Sequence, residues 1–386
     1  MRSDLIIVGG GATGASLARA AHGLSIALVA GTRPSTVAAE TGSYDARVYA
    51  LSPGNVAFLR AIKVWDSIPV ARRTAVHAMR VYGDEGNARI EFDAYRAGVS
   101  ELAWIVEDRE LQSALWRALS TQDGLEIVSP ARCAALDLGA VAHITLEDGR
   151  HMEADLVVGA DGADSFIRHA AGIRESDASY SQTAVVANFA CERPHKNTAL
   201  QWFQAGPVLA LLPLSGDHVS MVWSLPTERA ARLLTLDPAS LAKEVNDASS
   251  RILGSLKLVC APLSYPLRRM TAARMVLPHL ALAGDAAHVI HPLAGQGLNL
   301  GLQDARSLGA LLAGREPVRS PGDMRLLRRY ERERSEAILA MRATVHGLHS
   351  LFDAESRPMR LLRNQGLNLT NRMTVLKNSL LRHALR

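Results

Sequence analysis

The residues with the clearest chemical potential lie in the segment 280–304. An apolar run there ends in Gly284 and Asp285, and a loop then leads through a Gly-Gln-Gly sequence into an amphipathic segment. This pattern predicts a strand that delivers a carboxylate to its carboxyl end, followed by a helix whose first turn carries few side chains. Such a helix start presents free backbone N–H groups and the positive end of the helix dipole, so it favours a ligand that is or becomes anionic.

A second glycine pattern lies near the amino terminus. Gly9, Gly11 and Gly14 form a G-x-G-x-x-G sequence that follows a predicted strand at 4–8 and opens a predicted helix at 15–22. The first glycine permits a tight turn, the second lets a pyrophosphate approach the backbone, and the third lets the helix pack on the strand. With a second predicted strand at 25–30, these residues predict a dinucleotide-binding βαβ unit; a plain tight turn is the alternative.

One usual part of that motif is absent from the sequence. Dinucleotide-binding folds place Asp or Glu at the end of the second strand, where it binds the adenosine ribose. Here the strand ends at Ala30. The alternatives are that Thr32, Arg33 or Glu40 takes over this contact, or that the ribose contact is weak.

Three further segments carry charged residues beside predicted turns. The segment 159–165, with Arg168 beyond it, follows an apolar run, while 45–51 contains Arg47 and 106–111 contains Arg109. Each has an ordinary alternative. These are an Asp-Gly turn with a surface Arg168, a surface Arg47, and an amphipathic helix that merely begins near Arg109.

Taken in order along the chain, these five segments resemble the FAD-dependent aromatic hydroxylases. The sequence H-P-L-A-G-Q-G-L-N-L-G at 291–301 resembles the corresponding motif of one branch of this family, the hydroxylases of ubiquinone biosynthesis. The resemblance implies that Asp285 hydrogen-bonds the ribityl chain of FAD, that Arg47 lies near the flavin, and that Arg109 contacts the phosphate-ribityl region. Ala46 departs from the glycine usual at its position. The residues implied in FAD binding are Gly9, Gly11, Gly14, Arg47, Arg109, Asp161, Gly284, Asp285, Gly295, Gln296, Gly297, Leu298 and Asn299.

Two histidines follow Asp285. His288 and His291 are three residues apart, but no carboxylate or cysteine completes a plausible set of metal ligands, so no metal is predicted. One histidine is expected to pack structurally and the other to lie near the flavin edge. His291 and Pro292 are the flavin-edge candidates, and no residue is assigned as catalytic.

The predicted fold class is α/β. A Rossmann-like FAD-binding domain is expected at 1–72, 100–178 and 268–345, interleaved with a β-rich substrate domain at 73–99 and 179–267. C-terminal helices follow, with a helical tail at 346–386. The alternation of apolar and polar residues at 181–225 predicts the second layer. Trp202, Phe203 and Trp223 lie in it, where they either form the substrate roof that the resemblance implies or pack in a core.

The resemblance implies an FAD-dependent monooxygenase that hydroxylates the aromatic ring of a polyprenylated phenol in ubiquinone biosynthesis by way of a flavin hydroperoxide. Molecular oxygen is the second substrate, and NADPH, NADH or another donor supplies electrons. One alternative is a flavin hydroxylase of a soluble aromatic compound, whose carboxylate would need a buried arginine such as Arg80, Arg89 or Arg193. The other is a non-catalytic flavoprotein or scaffold of a quinone-synthesis complex.

Composition and charge limit the cell compartment and the classes of partner that can be expected. The chain has 48% hydrophobic and 21% charged residues, as soluble proteins do. Its three cysteines are far apart, which predicts a reducing compartment and no disulfide framework. The net charge of +5 is concentrated after Glu355, beyond which no acidic residue follows. Nucleic acid is not a predicted partner, because no pattern of basic and aromatic residues accompanies the charge.

The tail places Leu369, Met373, Leu376 and Leu380 on one predicted helical face with basic residues around it. A basic amphipathic helix is typical of binding to a membrane surface or a partner, and docking on its own domain is the alternative. With neither signal peptide nor membrane span predicted, the expected location is cytoplasmic, either free or peripheral at the inner membrane surface. The sequence indicates neither the ring position that is hydroxylated nor the oligomeric state.

Overall fold

The computed structural model describes residues 2–34, 43–83, 89–204, 206–290 and 296–353, and within them all side chains except those of 296 and 342–353. The strands, in chain order, are β1 (Arg2–Val8), β2 (Ile26–Val29), β3 (Val48–Leu51), β4 (Arg73–Val76), β5 (Ala78–Tyr82), β6 (Arg89–Asp93), β7 (Ala103–Glu107), β8 (Leu125–Val128), β9 (Cys133–Leu138), β10 (Ala142–Leu146), β11 (His151–Gly159), β12 (Glu175–Cys191), β13 (Thr198–Phe203), β14 (Val208–Leu214), β15 (His218–Pro226), β16 (Leu256–Leu258), β17 (Leu263–Ala272), β18 (Val276–Leu277), β19 (Leu280–Leu282) and β20 (His288–Val289). The α-helices are α1 (Ala12–Ala20), α2 (Pro53–Ala61), α3 (Ala94–Ala97), α4 (Asp108–Leu119), α5 (Phe166–Ala170), α6 (Thr227–Leu234), α7 (Pro238–Ala248), α8 (Gln296–Ala313) and α9 (Met324–Asp353).

The first sheet has a parallel core. Its strands are ordered β18-β19-β11-β1-β2-β8, and β10 and β9 extend it from β11. The strands β19, β11, β1, β2 and β8 run parallel. Leu5, Ile6 and Ile7 of β1 are fully buried, as expected for a central parallel strand covered on both faces. The carboxyl ends of the five parallel strands therefore meet at one edge, and the α/β prediction is confirmed.

Two helices, α1 and α8, pack closely against each other. A Cβ added to Gly301 of α8 would lie under 3.0 Å from Oγ1 of Thr13, and one added to Gly309 would lie equally close to Cβ of Ala20. Only glycine permits this distance between the helices. α1 begins at Ala12, earlier than predicted, because Gly11 has extended backbone and acts as its N-cap.

The second sheet has nine strands, ordered β20-β17-β12-β15-β14-β13-β5-β6, with β16 paired to β12. The parallel pairing of β5 with β13 brings the two β-rich stretches of the sequence into this one sheet. β12 and β17 run through the predicted boundaries at 178 and 267. β4 pairs instead with β7 in a three-stranded sheet with β3. The division into domains by residue number stays a prediction.

One face of the nine-stranded sheet packs against α6 and α7. Phe189 and Trp223 contribute to a buried cluster with Leu233 of α6 and Leu241 of α7. Trp202 belongs to the same cluster, whereas Phe203 belongs to a smaller cluster on the other side of β13. The two tryptophans therefore pack in a core, which was the alternative to a role in the substrate roof.

Candidate functional site

The turns after β1 and β11 meet at the carboxyl edge of the first sheet. A Cβ on Gly9 would lie under 3.0 Å from the carbonyl oxygen of Ala160, and one on Gly14 equally close to the carbonyl oxygen of Gly9. Packing therefore requires both glycines. A Cβ on Gly11 would have no atom of the described residues within 4 Å apart from its chain neighbours and its own helix, so a ligand can approach the backbone there.

The turn after β19 presents Asp285 at the same edge. Gly284 has a φ of 62°, which favours glycine. The Asp285 side chain is exposed, yet protein atoms crowd it on several sides, which is the situation of a carboxylate in an open cleft. The surrounding protein atoms displace water from the carboxylate and so raise the pKa of Asp285, an effect that His288 and Arg47 partly offset.

A network of buried charged side chains stabilises this turn. Asp304 of α8 is 0% exposed and accepts the N–H of Gly284 at 2.8 Å. It also lies 2.7 Å from Nε2 of His288 and accepts from Nε of Arg334 at 2.6 Å. Burial alone would raise the pKa of Asp304, but His288 and Arg334 together hold it below its usual range. His288 is thus a histidine that packs within the protein.

Asp45 organises the two arginines that the sequence singled out. Its carboxylate accepts the backbone N–H of Arg47 at 3.0 Å and that of Arg109 at 3.1 Å. The guanidinium carbon of Arg47 lies 5.4 Å from the ring centroid of Tyr49 and 5.7 Å from that of Tyr265. Arg47 is exposed. Crowding by protein atoms would lower the pKa of Arg47, but Tyr49 and the nearby acidic groups, Asp285 among them, raise it.

The buried carboxylate of Glu107 stabilises the loop at 45–47. Its side chain is 2% exposed and lies 3.0 Å from Nη1 of Arg72 and 3.8 Å from Nη2 of Arg109. It also accepts the N–H of Asp45 at 2.6 Å. Burial raises the pKa of Glu107, although Asp45 and Arg72 act in the opposite direction. The loop at 45–47 is therefore tied to the start of α4.

The turn after β11 is fixed by Arg168, which is 1% exposed. Its guanidinium donates to the carbonyl oxygens of Ala163 and Ala286 at 2.8 and 3.0 Å and pairs with Glu175. The alternative of a surface Arg168 is therefore wrong. Asp161 accepts the N–H of Ile167 at 3.1 Å. Through Ala286, Arg168 joins this turn to the one that carries Asp285.

Comparison with known proteins decides the family. A family model described as an FAD binding domain matches residues 2–344. The chain belongs to this FAD-binding family. It is 32% identical to 3-demethoxyubiquinol 3-hydroxylase of Escherichia coli (strain K12), over 99% of this chain and 98% of that protein. It is 34% identical to ubiquinone hydroxylase UbiL of Rhodospirillum rubrum, over 99% of this chain and 89% of that protein.

Structural comparison agrees with this family. The crystal structure of P. aeruginosa PqsL in complex with 2-aminobenzoylacetate has a TM-score of 0.80 at 22% identity, over 96% of this chain and 100% of that one. This likeness shows the fold. The family and the relatives together make the chain an FAD-dependent aromatic hydroxylase of the ubiquinone-biosynthesis family, as its sequence motifs predicted.

The hydroxylase has unsatisfied polar atoms where FAD would lie. Nε and Nη2 of Arg109, and Oδ1 of Asp161, are buried and have no hydrogen-bond partner among the described residues. Buried polar groups nearly always have partners, and a guanidinium suits a phosphate while a carboxylate suits ribityl or ribose hydroxyls. With the open space at Gly11 and Gly297, these atoms fit the cofactor.

The start of α8 in the hydroxylase is held by side chains within the protein. The amide of Asn299 accepts from the N–H of Ser52 at 2.9 Å and from Nδ2 of Asn55 at 2.7 Å, and it donates to the carbonyl oxygen of Ala50 at 2.7 Å. The side chain of Asn299 is thus held by protein groups, and its role in FAD binding stays a prediction. Leu298 is half-buried. His291, Pro292, Gly295 and Glu40 lie outside the described residues, as does the side chain of Gln296.

Sequence reasoning missed three residues that help to hold the site in place. Asp304 and Arg334 are 0% and 5% exposed, and Asn55 is 0% exposed. A signal was present for Asp304, because a carboxylate on the apolar face of a predicted helix needs a buried partner. For Asn55 no local pattern was available, since its partner Asn299 lies 244 residues away.

The remaining residues that the sequence raised can also be located. Thr32 and Arg33 are exposed at the end of β2, where either remains a candidate for the ribose. Arg89 and Arg193 are exposed, and Arg80 pairs with Glu91 at 3.1 Å. Within the described ranges no cluster of three His, Cys, Asp or Glu residues is arranged for a metal ion. No helix there combines the length and apolarity of a membrane span.

Proposed function

We propose that this hydroxylase adds a hydroxyl group to the aromatic ring of a prenylated phenol during ubiquinone biosynthesis, with molecular oxygen as the second substrate. The observation that carries the proposal is the 32% identity with 3-demethoxyubiquinol 3-hydroxylase over 99% of this chain and 98% of that protein. The similarity includes the nine-stranded sheet as well as the cofactor edge. It is therefore more than a shared FAD-binding motif.

The sheet offers a surface suited to a lipophilic ring. Ala210, Leu212 and Val222 lie on the two central strands β14 and β15, on the face opposite α6 and α7, yet they are only half-buried. Their partial exposure leaves this face of the sheet open to a ligand. An apolar, accessible face beside the FAD-binding segment supports a prenylated aromatic substrate.

The protein would contribute position and electrostatics to the reaction. FAD, when bound, supplies electron transfer to oxygen and transfer of one oxygen atom to the ring. The first N–H groups of α8, which begins at Gln296, have no acceptors within the helix and stabilise negative charge that develops at their end. The apolar face of the sheet keeps water away from the reacting carbon.

The individual FAD contacts belong to the proposal. Arg109 would bind the phosphate-ribityl region and Asp285 the ribityl chain, and Asp161 would shape the turn beside the pyrophosphate. Arg47, placed between Tyr49 and Tyr265, is suited to lie beside the flavin ring.

The electron donor and the location are also proposed. NADPH or NADH would reduce the flavin, and the basic tail would hold the enzyme at a membrane surface, where a prenylated phenol dissolves. Residues 1–72, 100–178 and 268–345 would form the FAD-binding domain, and 73–99 and 179–267 the substrate domain.

The decisive experiment is mass spectrometry of quinone-pathway lipids in the source organism after deletion of the gene. We expect loss of ubiquinone and accumulation of a prenylated phenol that lacks at least one ring hydroxyl, whose structure would identify the ring position. Re-expression of the gene is the control. Normal ubiquinone in the deletion strain would overturn the proposal and direct the search to soluble aromatic compounds.

A further inference from the structure

Two buried polar atoms on the nine-stranded sheet lack partners. Oδ1 of Asn188 on β12 and Oγ of Ser220 on β15 have no hydrogen-bond partner among the described residues, and both residues are 0% exposed. Unsatisfied buried groups are rare in proteins, so each one requires an explanation.

The two atoms are neighbours on one face. Asn188 lies directly opposite Ser220 in the antiparallel pairing of β12 and β15, and such residues have Cβ atoms roughly 4.5–5.5 Å apart on the same side of the sheet. The amide nitrogen of Asn188 donates to the carbonyl oxygen of Asp45 at 2.7 Å. This bond fixes the amide and shows that the face is turned toward the FAD-binding segment, since Asp45 also anchors Arg47 and Arg109.

The residues around this pair are apolar, and three of them are half-buried. Val186 lies opposite Val222 one row along the sheet. On the other side of β15, Leu212 lies opposite Ser220 and Ala210 opposite Val222. Leu212, Ala210 and Val222 are half-buried on central strands. One acceptor and one hydroxyl therefore lie directly beneath an apolar surface that is partly open, and a ligand oxygen would reach them by displacing the side chains that cover them.

We propose that Asn188 and Ser220 bind the oxygen substituent of the substrate's aromatic ring. The phenol hydroxyl donates to Oδ1 of Asn188 and accepts from the hydroxyl of Ser220, while the apolar residues contact the ring carbons. This inference rests on the proposed function, because it places the head group of a prenylated phenol on the sheet. It makes the pair a determinant of specificity, since an aromatic compound without this oxygen leaves both polar atoms unpaired.

The competing explanation is a structural one. A single buried water could join Asn188 to Ser220, and the pair would then influence packing but not the choice of substrate. The two explanations differ in how the removal of one hydroxyl affects ligands with and without a ring oxygen.

The test compares two probes on the FAD-loaded enzyme. The probes are 2-geranylphenol and geranylbenzene, which lacks the oxygen, and binding is followed by the change in flavin absorbance. For Ser220→Ala we expect the Kd of 2-geranylphenol to rise about tenfold and that of geranylbenzene to stay constant. Ser220→Thr keeps the hydroxyl and should retain the preference for the phenol.

Ser3→Ala is the matched control, because Ser3 is also buried and its hydroxyl also lacks a partner among the described residues. Ser3 lies at the amino end of β1, away from the site, so both Kd values should stay unchanged. An equal change for both probes in Ser220→Ala, or no change for either, would overturn the inference while leaving the proposed function intact. If the unaltered enzyme binds neither probe, the proposed function fails first, and the inference with it.

Discussion

Nε2 of His288 lies 2.7 Å from Oδ2 of Asp304, and neither side chain is more than 2% exposed. The other oxygen of Asp304 accepts from Arg334 at 2.6 Å, and the N–H of Gly284 completes the shell. A carboxylate can remain ionised in such a place only with partners of this kind. The network therefore fixes the turn that presents Asp285, although none of its three side chains belongs to the predicted set of FAD-binding residues.

Asp304→Asn should destabilise the protein strongly. The amide preserves the shape but leaves Arg334 as a buried charge without its carboxylate, which costs about 3 kcal/mol of unfolding free energy. Urea unfolding measures this loss. Asp247→Asn is the control, because Asp247 forms exposed ion pairs with Lys243 and Arg251, and its unfolding midpoint should not move. Equal stability of the two variants would contradict the role assigned to the network.

The same network predicts how stability depends on pH. Because the pKa of Asp304 is lower in the folded protein than in the unfolded chain, the stabilisation is fully present above the unfolded pKa of about 3.9. It is lost as pH falls through the folded pKa. The stability difference between the natural protein and Asp304→Asn should therefore shrink below about pH 4. Urea titrations between neutral and acidic pH would test this, and a constant difference would count against it.

The two glycines Gly11 and Gly14 should respond differently to alanine. Gly14→Ala places a Cβ under 3.0 Å from the carbonyl oxygen of Gly9, so we expect a lower melting temperature with or without FAD. Gly11→Ala meets no such obstacle and should keep its melting temperature without FAD, but the methyl group occupies the approach to the pyrophosphate and weakens FAD binding at least about tenfold. Thermal unfolding and FAD titration separate the two effects. Unchanged FAD affinity in Gly11→Ala would place the cofactor elsewhere.

Arg109→Met should weaken FAD binding about tenfold or more, because hydrogen bonds to a charged group are lost. Its Nε and Nη2 atoms have no hydrogen-bond partner within the described part of the chain. Arg117→Met on the same helix is the control, since Arg117 donates to the carbonyl oxygen of Ser67 at an exposed position. Quenching of flavin fluorescence on binding gives both affinities. If the two variants bind FAD equally well, Arg109 is not a phosphate ligand.

The parts of the fold that follow local rules could be predicted from the sequence. The glycine turn at Gly9, the parallel strands and the position of Asp285 after β19 all arise from short patterns of apolar residues and glycines. The edge they form follows from strand direction alone. Family resemblance then supplied FAD, which local physics indicates only as an anionic or dinucleotide ligand.

The supporting contacts could not be predicted in the same way. Asn55 meets Asn299 across 244 residues, and Arg334 meets Asp304 across 30. Such pairings depend on how helices pack, which no short pattern encodes. The burial of Arg168 also depends on a distant contact, because one of its acceptors, Ala286, lies 118 residues further along the chain.

Gly301 and Gly309 lie on α8 and are not among the predicted ligand contacts, yet they determine how near α8 comes to α1. Gly11, where the pyrophosphate would bind, precedes α1, whereas the helix start that would face the flavin belongs to α8. In the proposed site, the distance between these two helices would therefore have to suit the length of the dinucleotide. A side chain larger than hydrogen at Gly301 or Gly309 would change the size of ligand that the enzyme accepts without touching the ligand.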